Sequence, residues 1–250
     1  MVPEPDAYRR RLYRDYAASV DPLLRGTGAP DLRAHDEVFA RDYAPFLPVD
    51  RGARVLDAGC GGGAFLSFLR GRGYVNVFGV DRSPGSVRAA RAAGLTEVTE
   101  GDAAAHMTSH PGAFDAVVAV DVLEHLRKDE VLAFLDAAFV ALKPGGVFLA
   151  QTVNAESPFF GRMLHIDFTH ETAFTRHSLR QILGATGFVD ADFREIAPVG
   201  AGARASLRRA LWRLLRLKWS ACLHVETGSG LLNNDHVFGQ IFLAKARKPA

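Results

Sequence analysis

Residues 55–69, VLDAGCGGGAFLSFL, constrain this chain more than any other stretch. Val55 and Leu56 supply an apolar strand and Asp57 stands at its carboxyl end. Gly59, Gly61, Gly62 and Gly63 follow, and Phe65, Leu66 and Leu69 then fall at helical spacing. Glycine lets a backbone turn through positive φ and lets a ligand approach where a Cβ would obstruct. In an open α/β sheet, ligands collect outside the carboxyl ends of the strands. A strand, a glycine turn and a helix in this order predict a small-molecule site.

The rest of the chain fits that frame. A length of 250 residues suits one α/β domain with embellishments, and a hydrophobic content of 48% supports a large core. A net charge of only +2 argues against a dedicated nucleic-acid binder. Arg, Asp and Glu stud the first twenty residues, so no signal peptide is expected there, and no apolar run reaches membrane-spanning length. Cys60 and Cys222 form no metal or redox spacing, which suits a reducing cytoplasm.

Residues 1–45 carry Tyr8, Tyr13, Tyr16, Phe39 and Tyr43, with Asp21-Pro22 and Gly26 to Pro30 as breaks, and read as a helical cap or lid. Residues 46–250 form the main domain. Strands are predicted at Val55–Asp57, Val75–Asp81, Glu97–Thr99, Phe114–Asp121 and Val147–Gln151. Helical patterns lie between them, one of them capped by Ser83-Pro84 and closed by Gly94. Such alternation means a Rossmann-like, mostly parallel sheet with helices on both faces. The rhythm lapses over 152–175, read as an acceptor loop, and returns with a helix at Arg176–Thr186 and strands at Val189–Ile196 and Val237–Lys245. Residues 200–232 read as an insertion.

Gly59-x-Gly61-x-x-Ala64 satisfies the dinucleotide fingerprint, and Asp81 lies about 20 residues further on, as a ribose-binding acid does. That signal leaves NAD and other adenosine ligands open, and with NAD an oxidoreductase. A carboxylate at Asp57 would repel a pyrophosphate. It would attract the ammonium and sulfonium of S-adenosylmethionine. Asp81 can accept both ribose hydroxyls, and Asp102 at the next strand end can reach the adenine amino group. Three acids at three strand ends fit S-adenosylmethionine better than NAD.

VLDAGCGGG, VFGVD, GDAAAHM, FDAVVAVDVLEHL and LKPGG resemble the successive motifs of class I S-adenosylmethionine-dependent methyltransferases. The resemblance implies a seven-stranded sheet with its last strand antiparallel. It also implies a cofactor site formed by Asp57, Gly59, Cys60, Gly61, Asp81, Arg82, Asp102, Ala103 and Asp121. VLEHL is similar to the ubiquinone-biosynthesis O-methyltransferases. The small-RNA 2′-O-methyltransferases carry a related pattern in which acids and histidines hold a divalent metal. By that resemblance Glu124, His125 and His170 become candidate ligands of Mg, Mn or Zn, with Asp121 one carbon shorter than the usual Glu. The metal-free alternative makes His125 or His170 the general base, with Glu124 beside it. DFTHETAFTRHSLRQILGATGF resembles methyltransferases of bacterial cell-surface polysaccharide and glycan clusters, which implies a sugar hydroxyl as acceptor. Quinones, polyketides and RNA 2′-hydroxyls are the other acceptors the resemblances allow.

Residues 204–223 carry Arg204, Arg208, Arg209, Arg213, Arg216 and Lys218 without an acid, with leucines near one face and Trp212 and Trp219 flanking it. The composition suits a helix lying on the anionic inner face of a membrane. The plainer reading is a cap helix or a homodimer contact with solvated arginines.

Overall fold

The computed structural model describes residues 7–14, 16, 32–198, 200, 202–228 and 236–250. The expected breaks at Asp21-Pro22 and Gly26 to Pro30, and the end of the 200–232 insertion, lie outside them. Helices α1 (Ala7–Arg14) and α2 (Leu32–Val38) come first, and α2 runs on through a π turn at Phe39–Tyr43. The alternating core then follows as β1 (Arg54–Ala58), α3 (Ala64–Gly71), β2 (Asn76–Asp81), α4 (Pro84–Ala92), β3 (Val98–Glu100) and α5 (Ala103–Thr108). It continues with β4 (Phe114–Val120), a 3-10 turn at Leu123–His125, α6 (Lys128–Ala141) and β5 (Leu142–Val153). The chain closes with α7 (Phe160–His165), α8 (Arg176–Ala185), β6 (Val189–Glu195), α9 (Gly202–Thr227) and β7 (Ile241–Arg247).

The strands form one sheet in the order β3-β2-β1-β4-β5-β7-β6. The first five pair in parallel, and β7 is antiparallel to both β5 and β6. Adjacent residues of each central strand serve opposite faces, because side chains alternate across a strand. Leu56, Val117, Phe148 and Phe242 join α5, α6 and α8 on one face. Val55, Val118, Leu149 and Leu243 join α3, α4 and the π turn on the other. Both faces are therefore dry, as a parallel sheet requires.

The local signals explain most boundaries. Ser83 caps α4 by accepting the Ser86 N–H, and Thr175 caps α8 by accepting the Ser178 N–H. The final strand starts at Ile241, later than the apolar run from Val237 predicts. The Glu195 carboxylate takes the N–H groups of Phe238 and Gly239, so that segment binds a side chain in place of a neighbouring strand. The expected irregular loop at 152–175 is more ordered than its sequence suggests. It contains the end of β5, the helix α7 and a parallel bridge from Asn154 to Phe174.

Phe148 is fully buried and stacks toward Phe188 beneath α8. Phe148→Ala is expected to cost about 3–5 kcal/mol of unfolding free energy, read from urea denaturation.

Candidate active site

Because the strands run parallel, the carboxyl ends of β1, β2 and β4 open on one edge of the sheet. A cavity of about 580 Å³ lies there, within the range of small-molecule sites. Gly59, Gly61, Asp81, Ser83, Asp102 and Ala103 line its donor end. Tyr13, Tyr16, His125, Met163, Ile166 and His170 line its other end.

The donor end is shaped by backbone. Gly59 holds φ +88°, and a Cβ there would come within 2.4 Å of Val122 Cγ2. Gly61 holds φ +51°, and a Cβ there would enter open space, so the chain leaves room above this turn. Asp81 fixes the turn: its Oδ2 accepts the Gly61 N–H at 2.8 Å and its Oδ1 accepts the Ser83 N–H at 2.8 Å. Asp102 caps α5 through the Ala105 N–H and pairs with Arg82 at 2.6 Å. Burial pushes its carboxyl up, but these partners outweigh that and hold it below the usual range.

Asp57 lies beneath the turn, fully buried, and its Oδ1 has no hydrogen-bond partner. Burial, then the nearby charge of Asp81, push its carboxyl up to about 8. An unpaired buried carboxylate is costly to ionise, and a cation brought to it would relieve that cost. This orphaned oxygen fits an ammonium group such as that of S-adenosylmethionine, although Asp57 lies beneath the glycine turn and does not itself line the cavity. Cys60 departs from expectation. Its thiol packs against Gly79 in the core and its N–H is taken by Val80, so it does not line the cavity. The glycines on either side turn the backbone so that residue 60 points inward.

Asp121 sits at the end of β4 with φ +53°, a conformation rare outside glycine. Gln151 holds it there by donating Nε2 to Asp121 Oδ1 at 2.8 Å, and the Tyr43 hydroxyl in turn holds Gln151 at 2.7 Å. Glu124 is buried, accepts the Thr152 hydroxyl, and uses its main-chain carbonyl to take the N–H groups of Glu171 and Thr172. It pins the later loop to the 3-10 turn.

That loop brings His170 beside His125, with ring centroids 4.7 Å apart. Asp167 joins them, and one potential ligand atom from each of His125, Asp167 and His170 falls within 4.8 Å of the others. The sequence reading put Glu124 in this group. The fold puts Asp167 there: Glu124 also lines the cavity, but its carboxylate accepts the Thr152 hydroxyl and does not join the two rings. Hydrogen bonds define the histidines. Asp167 Oδ1 accepts both the N–H and the hydroxyl of Thr169 at 2.8 Å. The Thr169 hydroxyl proton is thus spent, and its oxygen accepts from His125 Nδ1 at 2.8 Å. His125 Nε2 keeps its lone pair. Burial foremost, and the neighbouring His170, lower this imidazole to about 4, so it is neutral. His170 donates Nδ1 to the Met163 carbonyl at 2.8 Å.

The N-terminal segment, expected as a cap or lid, completes the wall with side chains that the sequence did not single out for the site. Tyr16 gives its hydroxyl proton to Asp167 Oδ2 at 2.7 Å. Arg9 is buried, pairs with Glu130 at 2.6 Å and donates to the His125 carbonyl at 2.8 Å. Tyr8 donates to Glu171. The one available signal was the run of tyrosines and arginines on α1. His165, which stands near these residues in sequence, is exposed outside the cluster.

Asp57 yields a prediction with a definite sign. Near neutral pH the free carboxyl is protonated, and a cationic ligand requires it ionised. Binding of S-adenosylhomocysteine, which carries the same ammonium, should release about one proton and tighten as pH rises toward about 8. Calorimetry in buffers of different ionisation enthalpy measures the release, and Asp57→Asn should abolish it.

A family model described as a methyltransferase domain matches residues 32–191. A ubiquinone biosynthesis O-methyltransferase of Xanthomonas campestris is 38% identical over 118 residues, covering 45% of this chain and 48% of that protein. One from Cereibacter sphaeroides is 36% identical over 126 residues, covering 49% of each. The chain thus spans about half the length of the curated relatives it matches. A S-adenosylmethionine-dependent methyltransferase structure from Archaeoglobus fulgidus superposes with a TM-score of 0.66 at 21% identity, covering 90% of this chain and 98% of that one. Haemonchus contortus phosphoethanolamine N-methyltransferase 2, solved with S-adenosylmethionine, gives 0.59 at 19% identity, covering 95% and 60%. These matches set the NAD alternative aside, and the chain belongs to the methyltransferase domain family.

Proposed function

We propose that this methyltransferase acts on a hydroxyl oxygen of a small molecule, foremost a sugar or glycan hydroxyl. The observation that carries the reading is His125, which lines the cavity with Nδ1 donating to Thr169 and Nε2 left without a proton, 3.4 Å from the Tyr16 hydroxyl. Bound S-adenosylmethionine supplies a methyl group on a cationic sulfur. Of the chain's own residues, Asp57 takes the ligand's ammonium and Asp81 its ribose hydroxyls. At the other end, a hydroxyl donates to His125 Nε2, which receives the proton as the oxygen takes the methyl. The imidazolium that forms is met by the Asp167 charge through Thr169. Tyr13 and Tyr16 narrow the space around the acceptor and favour one approach line. Two phenol rings beside two imidazoles suit a polyhydroxyl ring, and the DFTHE segment that shapes this end is the one resembling glycan-cluster enzymes.

The relatives' name makes a quinol or other hydroxylated metabolite the first alternative acceptor. An RNA 2′-hydroxyl fits less well with a net charge of +2. Both cysteines are free, and the exposed thiol of Cys222 suits a reducing cytoplasm.

A second reading has its own observation. His125, Asp167 and His170 form a two-imidazole, one-carboxylate set, and both rings donate Nδ1 to oxygens behind them, as metal-bound histidines do. These three would hold a divalent cation, with the Tyr16 hydroxyl moved from Asp167 Oδ2 to expose it.

The deciding experiment follows transfer of labelled methyl to a panel of glycosides, catechols and short RNA. His125→Ala should lower kcat on the preferred acceptor by about 10²–10⁴-fold with the Kd for S-adenosylhomocysteine unchanged. Unaltered turnover would remove His125 as the base. EDTA separates the two readings: the base keeps its activity, whereas a metal site loses it and shows a Mn²⁺ resonance signal that His170→Ala abolishes.

A further inference from the structure

Helix α9 is 26 residues long, about 39 Å at 1.5 Å per residue, and it touches the domain along one narrow stripe. Ala205, Trp212, Arg216, Trp219 and Leu223 make that stripe, at spacings of three, four and seven. Trp219 packs on Phe159 and Phe238 with ring centroids 5.9 and 5.6 Å away, and Arg216 pairs with Glu195 at 2.6 Å. The tryptophans, expected beside the leucines, are instead what attaches the helix. The leucines point the other way. Leu207, Leu211 and Leu214 are 60%, 51% and 64% exposed, and Val225 continues their line at 86%. Ala205 is the one fully buried residue of the helix.

Charge says what covers this face. Arg204, Arg208, Arg213 and Lys218 are exposed and make no ion pair among the described residues. Glu226, at the far end, is the helix's single acid. A second copy of the chain across a two-fold axis would set these cations against their own kind. A helix whose apolar side faces outward with cations around it matches an anionic lipid surface. No helix of the described residues is long and apolar enough to cross a membrane, so the contact is peripheral. Through Phe159 the helix adjoins α7, whose Met163 lines the acceptor end of the cavity.

We propose that the exposed leucine and arginine face of α9 docks this enzyme onto the surface of an anionic lipid bilayer. The inference is independent of which hydroxyl is methylated.

Cys222 provides the probe, because it is exposed on α9 while Cys60, the chain's other cysteine, is buried. An environment-sensitive fluorophore on Cys222 should brighten with vesicles of phosphatidylglycerol in phosphatidylcholine. Partitioning should be at least about tenfold stronger than with phosphatidylcholine alone, and weaken as salt rises. Arg208→Glu/Arg213→Glu/Lys218→Glu should abolish the preference for anionic vesicles. Leu207→Gln/Leu211→Gln/Leu214→Gln should abolish the fluorescence change. All three positions in each variant are exposed, so S-adenosylhomocysteine binding should stay as in the unmodified chain, which confirms folding. Equal binding to neutral and anionic vesicles would overturn the proposal, as would binding unaffected by either variant. A leucine variant that shifts the mass in light scattering from dimer to monomer, in a protein that ignores vesicles, would assign the face to a second copy.

Discussion

Everything at the site depends on burying carboxylates at the ends of parallel strands. The register of β1 against β2 and β4 brings Asp57, Asp81 and Asp121 to one edge of a sheet that is dry on both faces. Burial raises all three, Asp81 raises Asp57 further, and Asp121 raises Glu124 beyond what burial does. Without a cation such a cluster favours its protonated carboxyls, and a cation brought to it would favour their ionised form. The family's methyl donor is cationic at two atoms. Glycine at positions 59 and 61 makes the approach possible, and Asp81 holds the turn open by taking the Gly61 N–H.

The acceptor end is organised by hydrogen bonds whose direction can be followed. Asp167 accepts only, so Thr169 must donate to it, and His125 must donate to Thr169. One carboxylate, acting through a hydroxyl, fixes which imidazole nitrogen carries the proton. Tyr16 and Arg9 then bind this assembly from the N-terminal side, and Glu124 binds it from beneath.

The sheet was legible because each strand announces itself twice, by an apolar run and by the turn residue after it. Strand ends were less so where a side chain replaced the neighbouring strand, as Glu195 does before β7. At the donor end the acids and glycines are read directly, since the strand-turn-helix unit positions them locally. Cys60 departs from that reading because Gly59 and Gly61 line the cavity while its thiol packs against Gly79 below the turn. The acceptor end is assembled from segments far apart in the chain. Nothing in VLEHL says that Glu124 turns inward, and nothing in HIDFTHE says that Asp167 replaces it. That choice is made by Thr152 and Thr169, whose hydroxyls carry no motif.

Arg9 is a single buried guanidinium that serves Glu130, Glu171 and the carbonyl of His125. It also donates to the Tyr8 hydroxyl, and among the described residues none of its hydrogen-bond partners is a donor-end residue. The donor half of the chamber is therefore encoded in one uninterrupted stretch, from Asp57 to Asp121. The acceptor half is shared between that stretch's neighbour and a segment near the start of the chain. Divergence in the first helix and in residues 163–171 can reshape one end of the chamber while the glycine turn and its acids at the other end stay intact. The two halves are separable units of change.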